Sequence, residues 1–532
     1  MTKKKTTYSL SVVFLALLVG IMMGALLTPR VNKRSIQQGQ MNDRVNAILQ
    51  LVENCYVDDI DYDSLTNQMM NSMLSTLDPH SCYLSPEARE KESEMVQGQF
   101  EGIGVTLHYL NDTVYANYVI PGSPAAKVGV RAGDRIMWVD TTLVSGTGLT
   151  KTPSGVVDLI RGPRFSKVTL QIQRNGEKKL QKYVVTRNVI HHASIPAAVM
   201  MDKTTGYIRV THFAGTTASE FHAALLQLKQ EGMKHLILDL RNNGGGVLDG
   251  AIQMADELLS KDDLIVYTQG AHDRRRNVYA TKGGLFEEGK LTVLINEHSA
   301  SASEVVSGAI QDNDRGTIVG HRSFGKGLVQ RQFNLTDNSA ILLTIARYYS
   351  PSGRCIQRPY DKGSDEYYSE YLTRVLSDYA MADSVLNVQD TSQAFLTKGG
   401  RKVYGGGGIQ PDVTLPYLRD SNLIYFNQLI DKQVLETVLY AELFTRYEDI
   451  MKQYPNDEAF VKNFKIDDAL WQRILTVADK KGLKRDVKCI NKYGNEIRNR
   501  YKALMAMALY GDDAYYKISL PYDTEVQKAK KL

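Results

Sequence analysis

The sequence is poor in cysteine. Its 532 residues contain four, Cys55, Cys82, Cys355 and Cys489, and no C-x-x-C pair. That argues against both a disulfide framework and a cysteine-ligated structural zinc. It also lacks an excess of charge of one sign. Lys and Arg number 64 against 59 Asp and Glu, a net charge of +5, too little over this length for a nucleic-acid binder. Long apolar runs are scarce, which excludes a multi-span membrane protein. With 43% hydrophobic and 23% charged residues, the composition also excludes wholesale disorder and collagen. At about 150 residues per domain, the length suggests roughly three to four domains.

The one long apolar run is Leu10–Leu27, preceded by Lys3, Lys4 and Lys5. At about 1.5 Å per residue it reaches nearly across a bilayer core of about 30 Å. Met23-Gly24-Ala25-Leu26-Leu27-Thr28 offers no clean small-x-small cleavage site, so an uncleaved single-span anchor is favoured over a signal peptide. The lysines favour a cytoplasmic N-terminus, although Arg30, Lys33 and Arg34 on the other flank weaken the asymmetry. The body is then expected on the exported side, as in a bacterial periplasm or cell envelope.

Behind this run the pattern changes several times. From Asn42 to about Val96, Val45, Ile48, Leu49 and Val52, then Leu65, Met69, Met70 and Met73, recur at helical spacing, which predicts helices with the methionines in a core. The acidic stretch Asp58–Asp63 lacks the glycine and the closing glutamate of a calcium loop and reads as a solvated turn. From Gly98 to about Asn188 short strands are expected at Gly102–Leu107, Thr113–Ile120 and Val168–Arg174, with turn chemistry at Pro121–Ala126. From Val189 to about Pro416, amphipathic helices such as Phe221–Gln230 alternate with buried-strand runs at His235–Leu240 and Leu291–Ile295, the signature of a layered α/β core. A polar, partly helical insertion occupies about 360–400. The remainder reads as mostly helical.

Two short stretches carry chemistry. Ser299-Ala300-Ser301-Ala302-Ser303-Glu304 lies between a buried strand and a helix. Backbone N–H groups are unpaired there, and they and the helix dipole can hold an oxyanion. A helix N-cap is the structural alternative. Gly320-His321-Arg322-Ser323-Phe324-Gly325-Lys326-Gly327 matches a phosphate loop except at its end. There Gly327 replaces the Ser or Thr that would hold magnesium, and the following residues alternate like a strand rather than opening a helix. A lysine beside a serine has another use: when neutral, it can serve as the base for a serine nucleophile.

Together, Ser-Ala-Ser-Ala-Ser-Glu and Phe324-Gly325-Lys326-Gly327-Leu328-Val329-Gln330 closely resemble the carboxy-terminal processing, or tail-specific, proteases. So do Leu77-Asp78-Pro79-His80-Ser81, the Asp239–Gly246 loop and Gly408-Ile409-Gln410-Pro411-Asp412. The resemblance covers about Asn42 to Pro416. It implies a Ser301 nucleophile, Lys326 as general base 25 residues later and Gln330 orienting the lysine. The N–H groups of Ala302 and a loop glycine, Gly246, would form the oxyanion hole. Asp312 reads as structural, and His191, His192, His298 and His321 as bystanders. No metal or other cofactor is implied.

The implied architecture is an α/β (α+β multidomain) chain. It comprises an anchor and linker (1–40), a helical N-terminal region (41–97), an inserted PDZ domain (98–188), a layered α/β serine-protease core (189–416) and a helical C-terminal extension (417–532). The PDZ segment would bind the C-terminal tail of a protein or peptide substrate by strand addition, using Gly102, Ile103 and Gly104, with Arg161 as a tail sensor. The expected partners are thus protein or peptide substrates, the membrane through one span and a possible homo-oligomer, with no nucleic acid.

Overall fold

The computed structural model describes residues 33–146, 152–174, 177, 179–281, 283–380, 393–417 and 420–532. The Leu10–Leu27 run lies outside them. Among the described residues no helix is long and apolar enough to cross a membrane. The contacts divide the chain into one unit up to Ser72 and another from Met73 onward.

The first unit holds the helix Lys33–Cys55 and most of the helix Tyr62–Ser75. Asp61 caps the second helix by accepting from Ser64 N at 3.1 Å, so the acidic stretch opens a helix. Among the described residues the expected methionine core is not formed. Met69 and Met73 are 40% and 57% exposed, and Leu74 is the buried residue of that helix. The helical spacing is real, but a stripe becomes a core only where another element covers it.

In the second unit a six-stranded sheet forms the centre of the core. Its order is Ala197–Met200, Thr205–Arg209, His235–Asp239, Lys290–Ile295, Thr317–Gly320 and Val413–Thr414. The first pair is antiparallel and the rest are parallel. Alternate residues face opposite ways. Ile208, Leu236, Leu238, Val293 and Ile318 pack under the helices Thr217–Gln230, Leu248–Asp256 and Ala302–Asp312. Tyr207, Ile237, Leu294 and Val319 pack on the other face against Leu520, Val526 and Ala529 near the C-terminus. Burial on both faces is why the centres of these strands are apolar at successive positions.

A second sheet joins Cys82–Leu84, Ala340–Tyr349, Leu264–Gln269 and Arg276–Tyr279, with Leu328–Asn334 paired to Ala340–Tyr349. Cys82–Leu84 lies inside the region read as helical. Its partners, Ala340 to Leu342, are more than 250 positions away, too far to leave a local trace.

The inserted domain has its own sheet, ordered Val105–Leu110, Thr113–Val119, Arg135–Val139, Lys167–Gln173 and Gln181–Thr186, with Thr142–Leu143 beside the third strand. The helices Pro124–Lys127 and Pro153–Ile160 each start from a Ser or Thr cap followed by proline. The stretch expected as one strand from Gly102 to Leu107 is broken at Ile103 and Gly104. Gly104 takes φ +78°, and a Cβ there would lie 2.3 Å from that of Ser123, so glycine is required. The domain leaves and re-enters the core through a ribbon of Gln99–Gly102 and Asn188–His191. The C-terminal segment is helical: Leu423–Asp431, Val434–Gln453, Asp457–Asn463, Asp468–Lys480, Val487–Tyr510, Asp512–Ser519 and Thr524–Lys531.

Candidate active site

The parallel strands His235–Asp239 and Lys290–Ile295 end side by side, and the loops that leave them build the site, as expected at the carboxyl ends of an open α/β sheet. From the first strand comes Asp239–Gly246, from the second Asn296–Ser301. Ser301 caps the helix Ala302–Asp312 at φ +55° and ψ −113°. That conformation is unfavourable for a residue with a side chain, and such strain collects at functional sites.

The three serines of the motif differ. Ser299 is fully buried and donates to Leu240 O at 2.8 Å. Ser303 is also buried and donates to Asn243 O at 2.9 Å. Both hydroxyls hold loops in place. Ser301 is half-buried, and its backbone N–H and carbonyl are both bonded.

Those bonds lead to Glu304. Its buried carboxylate accepts from Ser301 N at 2.8 Å, Ser323 Oγ at 2.6 Å, Gly325 N at 2.7 Å and Lys326 N at 2.9 Å. Ser301 N and Lys326 N reach the same oxygen, Oε2. Burial pushes the Glu304 carboxyl upward, while these donors pull it back. On the opposite side Tyr348, in the strand Ala340–Tyr349, donates from its hydroxyl to Ser301 O at 3.1 Å and also to Lys326 O. The Ser301 and Lys326 backbones are thus tied together twice. The amides that a phosphate loop would turn toward a nucleotide are instead turned toward Glu304, and Gly327 is followed by the strand Leu328–Asn334.

Lys326 Nζ donates to Gln330 Oε1 at 2.7 Å, and Gln330 Nε2 donates to His80 O at 2.7 Å. Burial lowers the lysine pKa. Asp78, Glu92, Cys82 and Glu304 pull it the other way without reversing the direction. His80 is held by Asp78, whose carboxylate accepts from His80 N, Ser81 N and Ser81 Oγ. Its imidazole meets Tyr367 OH at 3.2 Å. Burial, then Lys326, lowers the His80 pKa to about 4.

The glycine loop approaches from below. Gly245, at φ +101°, lies so close that a Cβ would sit 2.8 Å from that of Ser301 and 3.0 Å from Ala302 N. Gly246 packs instead on Phe213 O. Among the described residues neither Ala302 N–H nor Gly246 N–H donates a hydrogen bond, whereas Gly245 N–H is used by Asn243 Oδ1 at 2.9 Å. Asp312 is paired with Arg354 at 2.7 Å, both side chains fully buried, and also accepts from Ser352. It ties a loop to the far end of the helix. His298 contacts Tyr371, His321 stacks on Tyr417 at 3.9 Å and His192 stacks on His212 at 4.8 Å. The four cysteines are free. Among the described residues no cluster of metal-ligating side chains is present.

In the inserted domain Val105–Leu110 is an edge strand. Tyr109 OH donates to Pro153 O at 2.7 Å, linking this edge to the start of the helix Pro153–Ile160. Arg161, at that helix's end, pairs with Glu94 at 2.6 Å and lies 4.3 Å from the Phe100 ring centre.

Sequence reasoning quoted Glu304 only as part of a motif and missed its role. The signal available was the Ser-x-x-Glu capping spacing. Tyr348 and the His80 carbonyl carried no signal.

Comparison with known proteins gives three family matches: Peptidase family S41 at residues 204–362, PDZ domain at 115–174 and a family of unknown function at 425–511. A carboxy-terminal-processing protease of Bartonella bacilliformis is 36% identical over 359 residues, covering 66% of this chain and 80% of that protein. A carboxyl-terminal-processing protease of Synechocystis is 34% identical over 301 residues, covering 55% and 69%. Among solved structures, a photosystem II D1 C-terminal processing protease matches at 25% identity over 70% of this chain and 88% of that one, with a TM-score of 0.34. With a serine at a strained strand-to-helix junction, 36% identity over 80% of the Bartonella protease, and family matches in its core and inserted domain, the chain belongs to the carboxy-terminal-processing proteases, serine peptidases of family S41 that carry a PDZ domain.

Proposed function

We propose that the chain is a serine–lysine endopeptidase that cuts exported proteins near their C-termini, with Ser301 as nucleophile and Lys326 as base. The observation that carries this reading is the pair of links, through Glu304 and Tyr348, that tie the backbone of a half-buried lysine to that of a strained serine. Neutral Lys326 takes the Ser301 hydroxyl proton as Oγ attacks the scissile carbonyl, then returns it to the departing amine. Water hydrolyses the acyl-enzyme by the same route. Working near neutral pH requires the Lys326 pKa to lie below that of an ordinary lysine, and burial acts in that direction. The unused N–H groups of Ala302 and Gly246 suit the developing oxyanion.

The PDZ edge strand Val105–Leu110 suits strand addition by a substrate tail, with the Gly102-Ile103-Gly104 amides near its carboxylate. Arg161 joins this domain to Glu94 on the helix Pro86–Gln97 and is the candidate sensor of tail binding. In the same reading the Leu10–Leu27 run anchors the chain and places its body in the periplasm or cell envelope.

The test is incubation with unfolded exported proteins. Wild type is expected to produce fragments and Ser301→Ala none. Equal turnover by the two would overturn the assignment.

A further inference from the structure

The matched family over residues 425–511 has no assigned role. Here that segment packs on the PDZ domain, and the helices that follow it toward Leu532 pack on the catalytic core. The PDZ sheet has two faces. Val114, Ala116, Ile136 and Ile172 turn into the domain's own core. Leu110, Tyr115 and Ala132 turn outward and are buried in one apolar cluster with Leu439, Tyr440 and Leu443 of the helix Val434–Gln453.

Tyr440 is the centre of this contact. Its ring stacks on Tyr115 at 4.4 Å and on His108 at 5.1 Å, and its hydroxyl donates to Asn117 Oδ1 at 2.7 Å. Beside it the Arg135 guanidinium lies 3.8 Å from the Phe444 ring centre, Arg131 lies 4.6 Å from that of Tyr447, and Arg131 also pairs with Glu448. The approach is close: a Cβ on Gly133, at φ +84°, would sit 2.6 Å from that of Leu443.

The other end of the same helical segment is fastened to the core. Arg241, which leads into the glycine loop, is bonded to Asp239 and reaches across to Asp523 and Glu525. Lys530 pairs with Asp202 at 2.7 Å. Leu520, Val526 and Ala529 cover the central sheet.

We propose that the C-terminal helical segment is a mount that holds the PDZ domain in one orientation on the catalytic core. Held to the core, among the described residues, by a two-stranded ribbon and the Arg161–Glu94 pair, an inserted domain of this size without further support is expected to rock. An aromatic, desolvated interface on the back of its sheet, continued into a second one on the core, removes that freedom. The mount meets the strand Val105–Leu110 on the sheet's back face, through His108 and Leu110, and not along its hydrogen-bonding edge. A captured tail would therefore lie at a constant distance from the catalytic serine, and cleavage would fall at a set spacing from the C-terminus. The tail-capture part of this consequence rests on the reading above; the mount itself does not.

The test uses the full chain with probes at encoded residues replacing Lys182 on the PDZ domain and Lys261 on the core, both exposed. The distance distribution between them is measured with and without a peptide that ends in apolar residues and a free carboxylate. Peptide binding is followed separately by fluorescence anisotropy. Wild type is expected to give one narrow distribution that saturating peptide leaves in place. Tyr440→Ala is expected to broaden it at least about twofold and to spread cleavage over several positions, whereas Tyr440→Phe, which keeps the stacking, stays close to wild type. A wild-type shift of more than about 5 Å on peptide binding, well beyond ordinary side-chain adjustment, would overturn the mount. A Tyr440→Ala distribution as narrow as wild type would do the same. If Tyr440→Ala does not fold, Glu448→Lys at the exposed rim takes its place and is expected to broaden the distribution less, with no broadening counting against the mount. A peptide that fails to bind would remove the tail reading and leave the mount to be judged on the variants.

Discussion

Lys326 Nζ donates to Gln330 Oε1 at 2.7 Å. Because Gln330 is itself held by the His80 carbonyl, the base has a fixed direction that it would lack as a free four-carbon chain. Gln330→Ala is expected to lower kcat by about ten- to a hundredfold through misplacement of the base. Gln330→Glu is the sharper test. A carboxylate at this position favours the ammonium form, so the Lys326 pKa rises. The limb on which kcat/KM rises with pH then moves to higher pH. A pH profile unchanged in Gln330→Glu would show that the titrating base is not Lys326.

The serine assignment predicts a contrast within one motif. Ser301→Ala and Lys326→Ala are each expected to lose about a thousandfold or more in kcat, and the double variant is expected to be no worse, because the two act as a unit. Lys326→Arg is expected to be inactive, since a guanidinium keeps its proton in this range. Ser299→Ala and Ser303→Ala are expected to lose about 1–2 kcal/mol of stability each, because Leu240 O and Asn243 O lose a buried donor, while retaining activity. Kinetics alongside denaturant unfolding separates the two kinds of loss.

Glu304→Gln changes one atom but turns an acceptor group partly into a donor, facing four groups that all donate. At least one buried N–H is left without a partner, at a cost of about 1–3 kcal/mol or more. The Ser301 and Lys326 backbones also lose their shared anchor. The variant is expected to melt at lower temperature and to lose kcat with little change in KM. Glu304→Asp, which keeps the charge on a shorter stem, is expected to recover stability in part.

Much of this site was legible before any coordinates. The central residues of His235–Asp239 and Lys290–Ile295 are apolar on both faces because helices cover one face and the C-terminal segment the other, and that leaves a local imprint. The Ser301 and Lys326 motifs are local as well. What was not legible depends on distant pairing. Cys82–Leu84 joins Ala340–Leu342, and that alignment brings the His80 carbonyl to Gln330, while Tyr348 is placed by pairing with Leu264–Gln269. The methionine stripe shows the converse: its period is visible in the sequence, but whether anything covers it is not. Helices were expected from residue 417 onward, but their attachment to both the PDZ sheet and the core depends on Tyr440, Arg241 and Asp523, which look ordinary in sequence.

His80 predicts an acid-sensitive stability. Its folded pKa of about 4 lies below the ordinary 6.5 because of burial and then the Lys326 charge. Between these values the unfolded chain binds a proton that the folded chain excludes. Stability therefore falls as pH drops from about 6.5 to about 4 and levels off below that, by up to about 3 kcal/mol from this group. His80→Phe removes the titration and leaves the carbonyl that holds Gln330 in place. Denaturant unfolding of both proteins at pH 7, 5.5 and 4.5 checks this. The wild-type loss across the series is expected to exceed the variant's, and equal losses would refute the assignment.

The remaining prediction concerns how a tail is read. A free carboxylate offers a charge that the Gly102-Ile103-Gly104 amides can hold, whereas an amidated terminus does not. Matched peptides differing only in that group are therefore expected to differ in kcat/KM by about tenfold or more, close to the worth of one charge-assisted hydrogen bond. Replacing the last apolar residues by charged ones is expected to act in the same direction. Arg161 enters separately. Its partner Glu94 sits on the helix Pro86–Gln97, which also carries Glu92, one of the carboxylates whose field acts on Lys326. If tail binding is sensed there, Arg161→Ala and Glu94→Ala should change the ratio of tail-stimulated to basal cleavage in the same direction. Neither should alter Ser301→Ala-sensitive chemistry on a tail-less peptide. The comparison is made with free-acid, amidated and tail-less peptides on wild type and both variants. Equal rates for the free acid and the amide would show that the domain does not read the carboxylate. Opposite effects of the two variants would show that the ion pair is not the sensor.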